Sequence, residues 1–531
     1  MNNAPDALED WSIARVLRRH AETRPQNTFV EMEGESLTYL DAWLDANRVA
    51  NHLSSLGVSR QDYVAVMLPN SLDFCRAWLG LAVHGAVHVA VNTDYKGSYL
   101  AHVLNNSESR FLIVEQEFVE RLVEIQDELD FLETIIVRGV GSDSSQHRYT
   151  QFDLSGYRDS PEEFDGELPG YRDTACVMYT SGTTGKSKGA LMPHGHLYLF
   201  GYGAITHMRI TGQDVYYIVL PLFHANGLFM QLYATLIAGA RAVIKPRFSA
   251  SEWIHDVVRH GITVTNFLGV VAAFVMNQPE SELDRKHSLR IVNLAPISPE
   301  LEQGIRQRFG IEHVMGVYGM TEVNIPLYGS LESPAAGSCG RVWGEYFELE
   351  IADAETDEVL PRGQVGEIVV RPRQPFGFMS GYLKMPEKTV EACRKFWFHT
   401  GDAAYMDDEG DVFFVDRIKD CIRRRGENIS SFELETTFNN HPAIEDVAVY
   451  AVPSEIPGAE DEVMVAVVFN AGQAVPIGQL DEYAAEHLPA FAVPRFYRLM
   501  DELPKTPTGK VRKHVLREAG THSADFDRTR S

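Results

Sequence analysis

Between residues 179 and 189 the chain reads Tyr-Thr-Ser-Gly-Thr-Thr-Gly-Lys-Ser-Lys-Gly. The stretch holds hydroxyl side chains, glycines and lysines but no aliphatic side chain, so it cannot build a core. Exposed backbone N–H groups, hydroxyls and cations are the donors that polyphosphate oxygens need. Apolar segments flank the stretch on both sides, which argues against a Gly/Ser-rich linker and predicts a strand that runs into a phosphate-binding loop.

The residues of this phosphate loop, 180–188, do not match the Walker A motif. That motif, G-x-x-x-x-G-K-[ST], requires glycine at position 180, where this chain has Thr180. The sequence therefore indicates a phosphate site of another kind.

Composition limits the class of protein. A chain of 531 residues is too long for one compact core, so two or more domains are expected. Hydrophobic residues make up 44% and charged residues 23%, which is typical of a soluble globular protein. The formal net charge of −26 argues against non-specific binding to nucleic acid or to an anionic membrane.

Cysteine usage and apolar content predict a cytoplasmic location. The 5 cysteines form no CxxC pair, which favours reduced structural thiols. The polar, acidic residues 1–10 do not resemble a signal peptide, and the longest apolar stretch, around residues 79–91, is too short to span a bilayer. We expect no transmembrane segment.

Strand and helix patterns alternate in the first 120 residues. Strand patterns at 63–68, 87–92 and 111–114 are separated by helical patterns, which predicts a parallel sheet covered on both faces. Thr38 and Asp41 form a capping-box pattern at the start of a helix. The predicted fold class is α/β, with helix-covered, mainly parallel sheets in a large N-terminal domain.

A second motif, Val-Tyr-Gly-Met-Thr-Glu, occupies residues 317–322. Tyr318 offers an aromatic face for a base, and Glu322 offers a carboxylate for Mg²⁺. Magnesium held on phosphates usually takes only one or two protein carboxylates. The motif predicts a nucleotide and metal site.

Polar motifs continue at residues 399–428. Asp402, in His-Thr-Gly-Asp (399–402), suits hydrogen bonding to a ribose diol. Consecutive arginines at 423–425 are compatible with a solvated surface or with a site for the phosphates of a ligand, and their pattern does not choose between the two.

The C-terminal stretch predicts a small α+β domain. It contains Leu-Pro-Lys-Thr-Pro-Thr-Gly-Lys (503–510), in which prolines and a glycine exclude helix and leave a stiff loop that presents Lys510. Residues 518–531 are expected to be disordered.

These motifs, in this order, resemble the adenylate-forming (AMP-binding) superfamily: acyl-CoA synthetases, luciferases and the adenylation domains of peptide synthetases. The resemblance covers nearly the whole chain. Residues 318–322, 415–417 and 426–428 look most like the crotonobetaine/carnitine–CoA ligase branch. The resemblance implies an N-terminal domain over 1–418 and a mobile C-terminal domain over 419–531, joined at a hinge, Lys419.

The implied activity is that of an ATP-dependent carboxylic acid–CoA ligase, which forms an acyl-adenylate and then a thioester. ATP, Mg²⁺ and coenzyme A are the implied cofactors and substrates. A medium-chain or aromatic acid, or an acceptor other than coenzyme A, stays open, as does a homodimer. A non-catalytic relative is disfavoured because Lys510 and Glu322 are both present.

The site residues implied by the resemblance fall into groups by role. The catalytic residues are Lys510, Glu322 and Thr183, and the metal ligands are Thr180 and Glu322. The acyl-binding residues are His224, Asn226 and Phe267, and those for coenzyme A are Arg425, Gly426 and Glu427. The nucleotide-binding residues are Thr180, Ser181, Gly182, Thr183, Thr184, Gly185, Lys186, Lys188, Leu294, Ala295, Pro296, Tyr318, Gly319, Met320, Thr321, Asp402 and Arg417.

Overall fold

The structure is a computed structural model that describes residues 7–139, 147–180, 187–418, 420, 422–424, 427–454, 461–488, 492–506 and 509–529. The chain divides into two compact units. The first comprises Met1–Leu349 and Val370–Phe398, and the second comprises Glu350–Val369 and His399–Ser531. The predicted boundary between residues 418 and 419 stays a prediction.

The α-helices occur throughout the chain. They are α1 (Ile13–Thr23), α2 (Tyr39–Ser55), α3 (Leu72–His84), α4 (Gly97–Ser107), α5 (Val119–Glu124), α6 (His194–Met208), α7 (Ala234–Ala238), α8 (Ala250–His260), α9 (Gly269–Met276), α10 (Pro299–Phe309), α11 (Pro386–Ala392), α12 (Ser431–Asn439), α13 (Ile477–His487) and α14 (Lys513–Glu518). A π-helical stretch, Asn226–Tyr233, precedes α7.

The strands up to residue 218 are β1 (Thr28–Met32), β2 (Glu35–Thr38), β3 (Tyr63–Met67), β4 (Val87–Ala90), β5 (Phe111–Glu115), β6 (Thr134–Arg138), β7 (Thr150–Asp153), β8 (Thr174–Thr180), β9 (Lys188–Pro193) and β10 (Val215–Ile218). The strands that follow, up to residue 382, are β11 (Arg241–Ile244), β12 (Val264–Leu268), β13 (Ile291–Ala295), β14 (His313–Met320), β15 (Asn324–Tyr328), β16 (Arg341–Val342), β17 (Phe347–Ala352), β18 (Gly366–Pro372) and β19 (Gly381–Tyr382). The remaining strands are β20 (Phe398–Met406), β21 (Val412–Arg417), β22 (Ile422–Arg424), β23 (Glu427–Ile429), β24 (Ile444–Val452), β25 (Glu462–Phe469), β26 (Phe496–Leu499) and β27 (Phe526–Asp527).

Two large sheets form the frame of the first unit. One has the order β16-β15-β14-β13-β12-β10-β11-β1-β2, in which the strands from β14 to β1 run parallel. The other has the order β19-β9-β8-β4-β3-β5-β6-β7, in which the strands from β8 to β7 run parallel. Parallel strands present their carboxyl ends at one edge, where open α/β sheets bind ligands. The predicted α/β class is confirmed.

Helices cover these sheets because their apolar faces pack onto them. Most of α3 is buried, and α2 packs against it. The predicted capping box starts α2: the Thr38 hydroxyl accepts a hydrogen bond from the Asp41 backbone N–H at 3.0 Å, and the Asp41 carboxylate accepts one from the Thr38 N–H at 3.0 Å. No helix in the described ranges is long and apolar enough to cross a membrane.

The second unit contains a four-stranded sheet with the order β24-β25-β26-β27, whose core includes residues of α12 and α13. The expectation of a disordered C-terminus is wrong up to residue 529. Phe526 packs its ring against Tyr497, with centroids 5.8 Å apart, and Asp527 forms an ion pair with Arg495. These two side chains let the last residues complete the edge of the sheet through β27.

Several histidines are enclosed in the first unit, and burial lowers their pKa values. The pKa is lowered to about 4 or about 3 at His20, His88, His194, His196 and His207. Unfolding returns each ring to water, where its ordinary pKa is 6.5. Because the unfolded chain then binds protons that the folded chain does not, stability is lost as the pH falls below about 6.5.

We expect His88→Leu to make the protein less sensitive to acid. His88 is buried on β4, with its ring 5.9 Å from that of Phe74. Between pH 6.5 and 5 its proton linkage destabilises the fold by about 2 kcal/mol, and leucine abolishes this loss. Unfolding temperatures at pH 8 and pH 5 should therefore differ less in the variant than in the wild type. His255→Leu, at an exposed position of α8, is the control; an equal effect there would contradict the assignment to His88.

Candidate active site

The phosphate loop connects two antiparallel strands. β8 ends at Thr180, β9 begins at Lys188, and these two residues lie opposite each other in the ladder. The connection is strand–loop–strand, unlike the strand–loop–helix of a Walker A site. The predicted loop residues Ser181, Gly182, Thr183, Thr184, Gly185 and Lys186 lie outside the described residues.

Glu322 follows β14 on the other large sheet. A tight turn returns the chain from β14 into β15, and Gly319 allows it, because a Cβ there would lie 2.3 Å from the Asn324 carbonyl oxygen. The imidazole of His196 hydrogen-bonds the Thr321 carbonyl oxygen at 3.0 Å and steadies the same turn. The Glu322 side chain is held inside the protein, with the residue 3% exposed.

The two predicted metal ligands meet although they lie on different sheets. The Thr180 hydroxyl donates a hydrogen bond to Glu322 Oε1 at 2.9 Å. The Tyr382 hydroxyl donates to the same oxygen at 3.0 Å. Both donors use Oε1, so neither of them occupies Oε2.

The donor set fits magnesium. Carboxylate and hydroxyl oxygens are hard ligands, and Mg²⁺ on a nucleotide takes most of its coordination from phosphates and water. In the part of the chain that the structure describes, no group of three or more His, Cys, Asp or Glu side chains could hold a metal by itself. A cation here would therefore rest on Glu322, Thr180 and the phosphates.

The predicted adenine segment lies at the same sheet edge. Leu294 is paired with Gly316 of β14, two residues before Tyr318. The Leu294 side chain is fully buried in the core, so it can offer a ligand only its backbone. Ala295 is half-buried and Pro296 exposed, while Tyr318 is buried beside them on β14.

The predicted acyl-binding residues separate into two groups. His224 and Asn226 lie where the π-helical stretch begins, a helix type that is frequent at functional sites. Asn226 joins an amide cluster, in which Asn266 Nδ2 and Gln231 Nε2 donate to Asn226 Oδ1 at 2.7 and 3.1 Å. Phe267 follows Asn266 on a strand and so points to the opposite face, where it packs against Trp253.

The amide cluster comprises Tyr216, Asn226, Gln231 and Asn266. The Tyr216 hydroxyl donates to Asn266 Oδ1 at 2.6 Å. Gln231 is fully buried, and its Oε1 atom has no hydrogen-bond partner among the described residues. A buried acceptor without a partner is costly, which marks this atom as a place where a ligand could donate. Of these four residues the sequence points only to Asn226, because Asn and Gln on apolar elements carry no motif.

Two of the predicted nucleotide-binding residues, of which Asp402 is the one predicted to bind the ribose, lie in the second unit. Asp402 and Arg417 are opposite each other on β20 and β21, and Arg417 Nε lies 2.9 Å from Asp402 Oδ1. Asp402 is buried whereas the Arg417 side chain is 42% exposed. The pair could thus present a carboxylate and a cation together.

The predicted coenzyme A residues are only partly described. Lys419, Arg425 and Gly426 lie outside the described residues, and Glu427 begins β23. The neighbouring Arg424 is 8% exposed and forms an ion pair with Glu462 at 2.8 Å. Arg424 therefore has a structural role in the second unit, which is neither of the two roles that the sequence pattern indicates for the 423–425 run.

Residues on either side of position 419 contact each other. The Asp416 carboxylate accepts hydrogen bonds from the Ser431 and Phe432 N–H groups at 2.6 and 3.3 Å, so it caps α12. Ser430 Oγ donates to the Val415 carbonyl at 2.6 Å. A rotation about position 419 would have to break these contacts.

Lys510 is exposed, and its backbone forms hydrogen bonds with Thr506. Its N–H donates to Thr506 Oγ1 at 3.1 Å, and its carbonyl accepts from the Thr506 N–H at 2.7 Å. The loop is anchored by ion pairs of Lys505 with Asp446 at 2.5 Å and of Lys513 with Glu435 at 2.8 Å. These contacts hold the backbone from which the Lys510 side chain extends.

Two family models match the chain, one in each part. Residues 17–383 match the AMP-binding enzyme family, and residues 433–510 match the AMP-binding enzyme C-terminal domain. The chain belongs to the AMP-binding enzyme family. It is 31% identical over 480 residues to the crotonobetaine/carnitine–CoA ligase of Salmonella typhimurium, covering 89% of this chain and 91% of that protein.

Solved structures of CoA ligases and related enzymes share the fold. ATP-bound MatB from Rhodopseudomonas palustris has a TM-score of 0.83 at 26% identity, over 96% of this chain and 99% of that one. The o-succinylbenzoate CoA synthetase MenE from Bacillus subtilis, with its acyl-adenylate, has a TM-score of 0.82 at 26% identity, over 97% and 99%. The anthranilate CoA ligase AuaEII, with anthranoyl-AMP, has a TM-score of 0.86 at 24% identity, over 98% and 99%.

These comparisons confirm the predicted enzyme class. This AMP-binding enzyme is an acyl-CoA synthetase. MenE of Bacillus subtilis, a solved structure that shares the fold, has been determined in complex with ATP and a magnesium ion.

Proposed function

We propose that this acyl-CoA synthetase activates crotonobetaine or carnitine as an acyl-adenylate and transfers the acyl group to coenzyme A. The observation that carries the catalytic part is the contact between Thr180 and Glu322, which places a buried carboxylate at the end of the phosphate loop. The similarity to crotonobetaine/carnitine–CoA ligases, which extends over 480 residues, supports the choice of acid.

In the first half-reaction, a carboxylate oxygen of the acid attacks the α-phosphorus of ATP, and pyrophosphate leaves. Both reactants are anionic, so the barrier is mainly electrostatic, and cations lower it. Magnesium, when bound, neutralises charge on the phosphates. Thr180 and Glu322 would be its protein ligands. Lys510 contacts both the carboxylate of the acid and the α-phosphate, and so orients the attack.

The other predicted residues bind and orient the nucleotide. Backbone N–H groups and hydroxyls of the phosphate loop donate to the phosphate oxygens. Asp402 accepts hydrogen bonds from the ribose hydroxyls, and Tyr318 packs against adenine with the backbone of residues 295–296. These contacts hold the nucleotide so that its α-phosphorus faces the attacking carboxylate, which lowers the entropic part of the barrier.

In the second half-reaction, the thiol of coenzyme A attacks the acyl carbon, and AMP leaves. We assign coenzyme A to residues 425–427 and the turning point of the C-terminal domain to Lys419. On this assignment the cap formed by Asp416 on α12 belongs to one of the two states only.

The amide cluster bears on the acid. Residues 223–233, 266–274 and 323–328 contain no Asp or Glu, so the acyl end is not recognised by a carboxylate from these segments. The amide oxygen of Gln231 is a neutral acceptor that suits a hydroxyl group. Aromatic side chains in these segments suit a trimethylammonium group, since a cation–π contact contributes roughly 0.5–2 kcal/mol.

A matched set of acids tests the choice of substrate. Crotonobetaine and crotonate differ in the trimethylammonium group, so their kcat/KM ratio isolates its recognition. We expect crotonobetaine or carnitine to exceed crotonate, octanoate and cinnamate by about tenfold or more, as one or two cation–π contacts would give. If crotonate, octanoate or cinnamate equals or exceeds crotonobetaine, the betaine assignment fails while the ligase assignment stands.

A further inference from the structure

Tyr382 occupies a fixed place beside the phosphate loop. It lies on β19, which pairs with β9 so that Tyr382 faces Ala190 and Gly381 faces Leu191. The backbone N–H of Leu383 donates to the Gly189 carbonyl at 2.8 Å, next to the start of β9. The backbone therefore sets the side chain of Tyr382 next to the residue where the loop ends.

The side chain of Tyr382 contacts two groups of opposite charge. Its hydroxyl donates to Glu322 Oε1 at 3.0 Å. Its ring lies under the ammonium group of Lys188, with Nζ 4.2 Å from the ring centroid, a cation–π contact. Tyr382 thus connects the carboxylate assigned to the metal with a cation assigned to the phosphates.

Burial protects the hydrogen bond from Tyr382 to Glu322. Tyr382 is 5% exposed and Glu322 is 3% exposed, so little water competes for this contact. A buried carboxylate needs such a donor to remain in place. Thr180 shares the acceptor Oε1, so these two hydrogen bonds fix the plane of the carboxylate from one side.

We propose that Tyr382 is a positioning residue for magnesium binding: its hydroxyl holds Glu322 so that Oε2 faces the cation on the phosphates of ATP. The inference rests on the proposed role of Glu322. Ligating carboxylates are commonly oriented by hydrogen bonds from residues that do not touch the metal, and loss of such a partner typically costs about 10–100-fold in metal affinity or activity.

Binding of ATP without acid or coenzyme A tests this role, because no turnover is needed. Tyr382→Phe removes the hydroxyl and keeps the ring under Lys188. We expect the Kd of ATP with saturating Mg²⁺ to rise about tenfold or more by calorimetry, while the Kd of ATP in EDTA stays within about twofold. The Mg²⁺ concentration for half-maximal adenylation should rise in parallel.

Tyr179→Phe is the matched control. Tyr179 lies one residue before Thr180, and its hydroxyl donates to Asn106 Oδ1 at 2.7 Å, away from Glu322. Its loss should leave the Mg²⁺ dependence unchanged. Retained binding of metal-free ATP by Tyr382→Phe shows that the variant is folded.

Two results would overturn the inference, and Glu322→Gln separates them. If Glu322→Gln weakens ATP binding only with Mg²⁺ present but Tyr382→Phe does not, Tyr382 has no positioning role and the role of Glu322 stands. If Glu322→Gln leaves Mg²⁺-dependent binding unchanged, Glu322 is not the ligand, and both assignments fail. If Tyr382→Phe weakens ATP binding equally with and without Mg²⁺, Tyr382 has only a structural role.

Discussion

Lys510→Ala is expected to lower the rate of acyl-adenylate formation by about 10²–10⁴-fold, the scale of losing a preorganised charge. The reason is that two anions react, and the ammonium group is the one proposed to contact both. The backbone around Lys510 is held by its own hydrogen bonds to Thr506, so alanine should not disturb the loop. Rapid-quench measurement of the adenylate in the absence of coenzyme A gives the rate.

Two comparisons make this result specific. Thioester formation from pre-made acyl-adenylate should change far less in Lys510→Ala, because the α-phosphate has already reacted. Lys505→Ala removes a charge from the same loop, but that charge is paired with Asp446, so adenylation should fall by less than about tenfold. Equal losses of Lys510→Ala in both half-reactions would contradict the assignment.

Glu322→Gln is expected to lower the adenylation rate by about 10²–10³-fold at moderate Mg²⁺, comparable to losing a donor that stabilises the transition state. Glutamine keeps the shape, and its amide oxygen can still accept from Thr180 and Tyr382, so the change removes the charge and places an NH₂ group at the position of Oε2. Raising the Mg²⁺ concentration should recover part of the rate, because the phosphates still bind the metal.

Glu302→Gln provides the control for loss of a buried carboxylate. Glu302 is buried on α10 and forms an ion pair with Arg306 at 3.0 Å, so its removal should affect stability rather than rate. If Glu322→Gln retains full activity with an unchanged Mg²⁺ requirement, the carboxylate does not serve the metal.

The sequence predicted the class of fold because its strands and helices alternate with the spacing of parallel sheets. It also predicted that Thr180 and Glu322 act together, and the structure places their side chains 2.9 Å apart. The motif at 317–322 indicated a carboxylate for the metal at Glu322, whereas the metal role of Thr180 followed from the resemblance to the superfamily. Their roles in binding metal and nucleotide stay predictions.

Contacts that depend on tertiary packing were not accessible from the pattern. Tyr382 was missed because a two-residue strand carries no motif, and its partner Glu322 is 60 residues away in the chain. The polar C-terminus suggested disorder, yet Phe526 and Asp527 find partners on β26 and its surroundings. In both cases the deciding partner is remote in sequence.

The sequence also did not reveal toward which face of a strand each side chain points. Phe267 and Asn266 are neighbours, but alternation along β12 sends the ring into the core and the amide into the cluster with Asn226. Arg424 likewise turns inward to Glu462 instead of joining an exposed basic surface. A run of residues of one type does not reveal which of them face solvent.

Acid-dependent exchange of radiolabelled pyrophosphate into ATP tests the central claim most directly, because it reports reversible adenylate formation before any thiol is present. We expect exchange with Mg²⁺ and a suitable carboxylic acid in the absence of coenzyme A, loss of exchange without the acid, and release of AMP with the thioester when coenzyme A is added. Exchange that does not require an acid, or turnover that yields ADP and phosphate, would contradict the account.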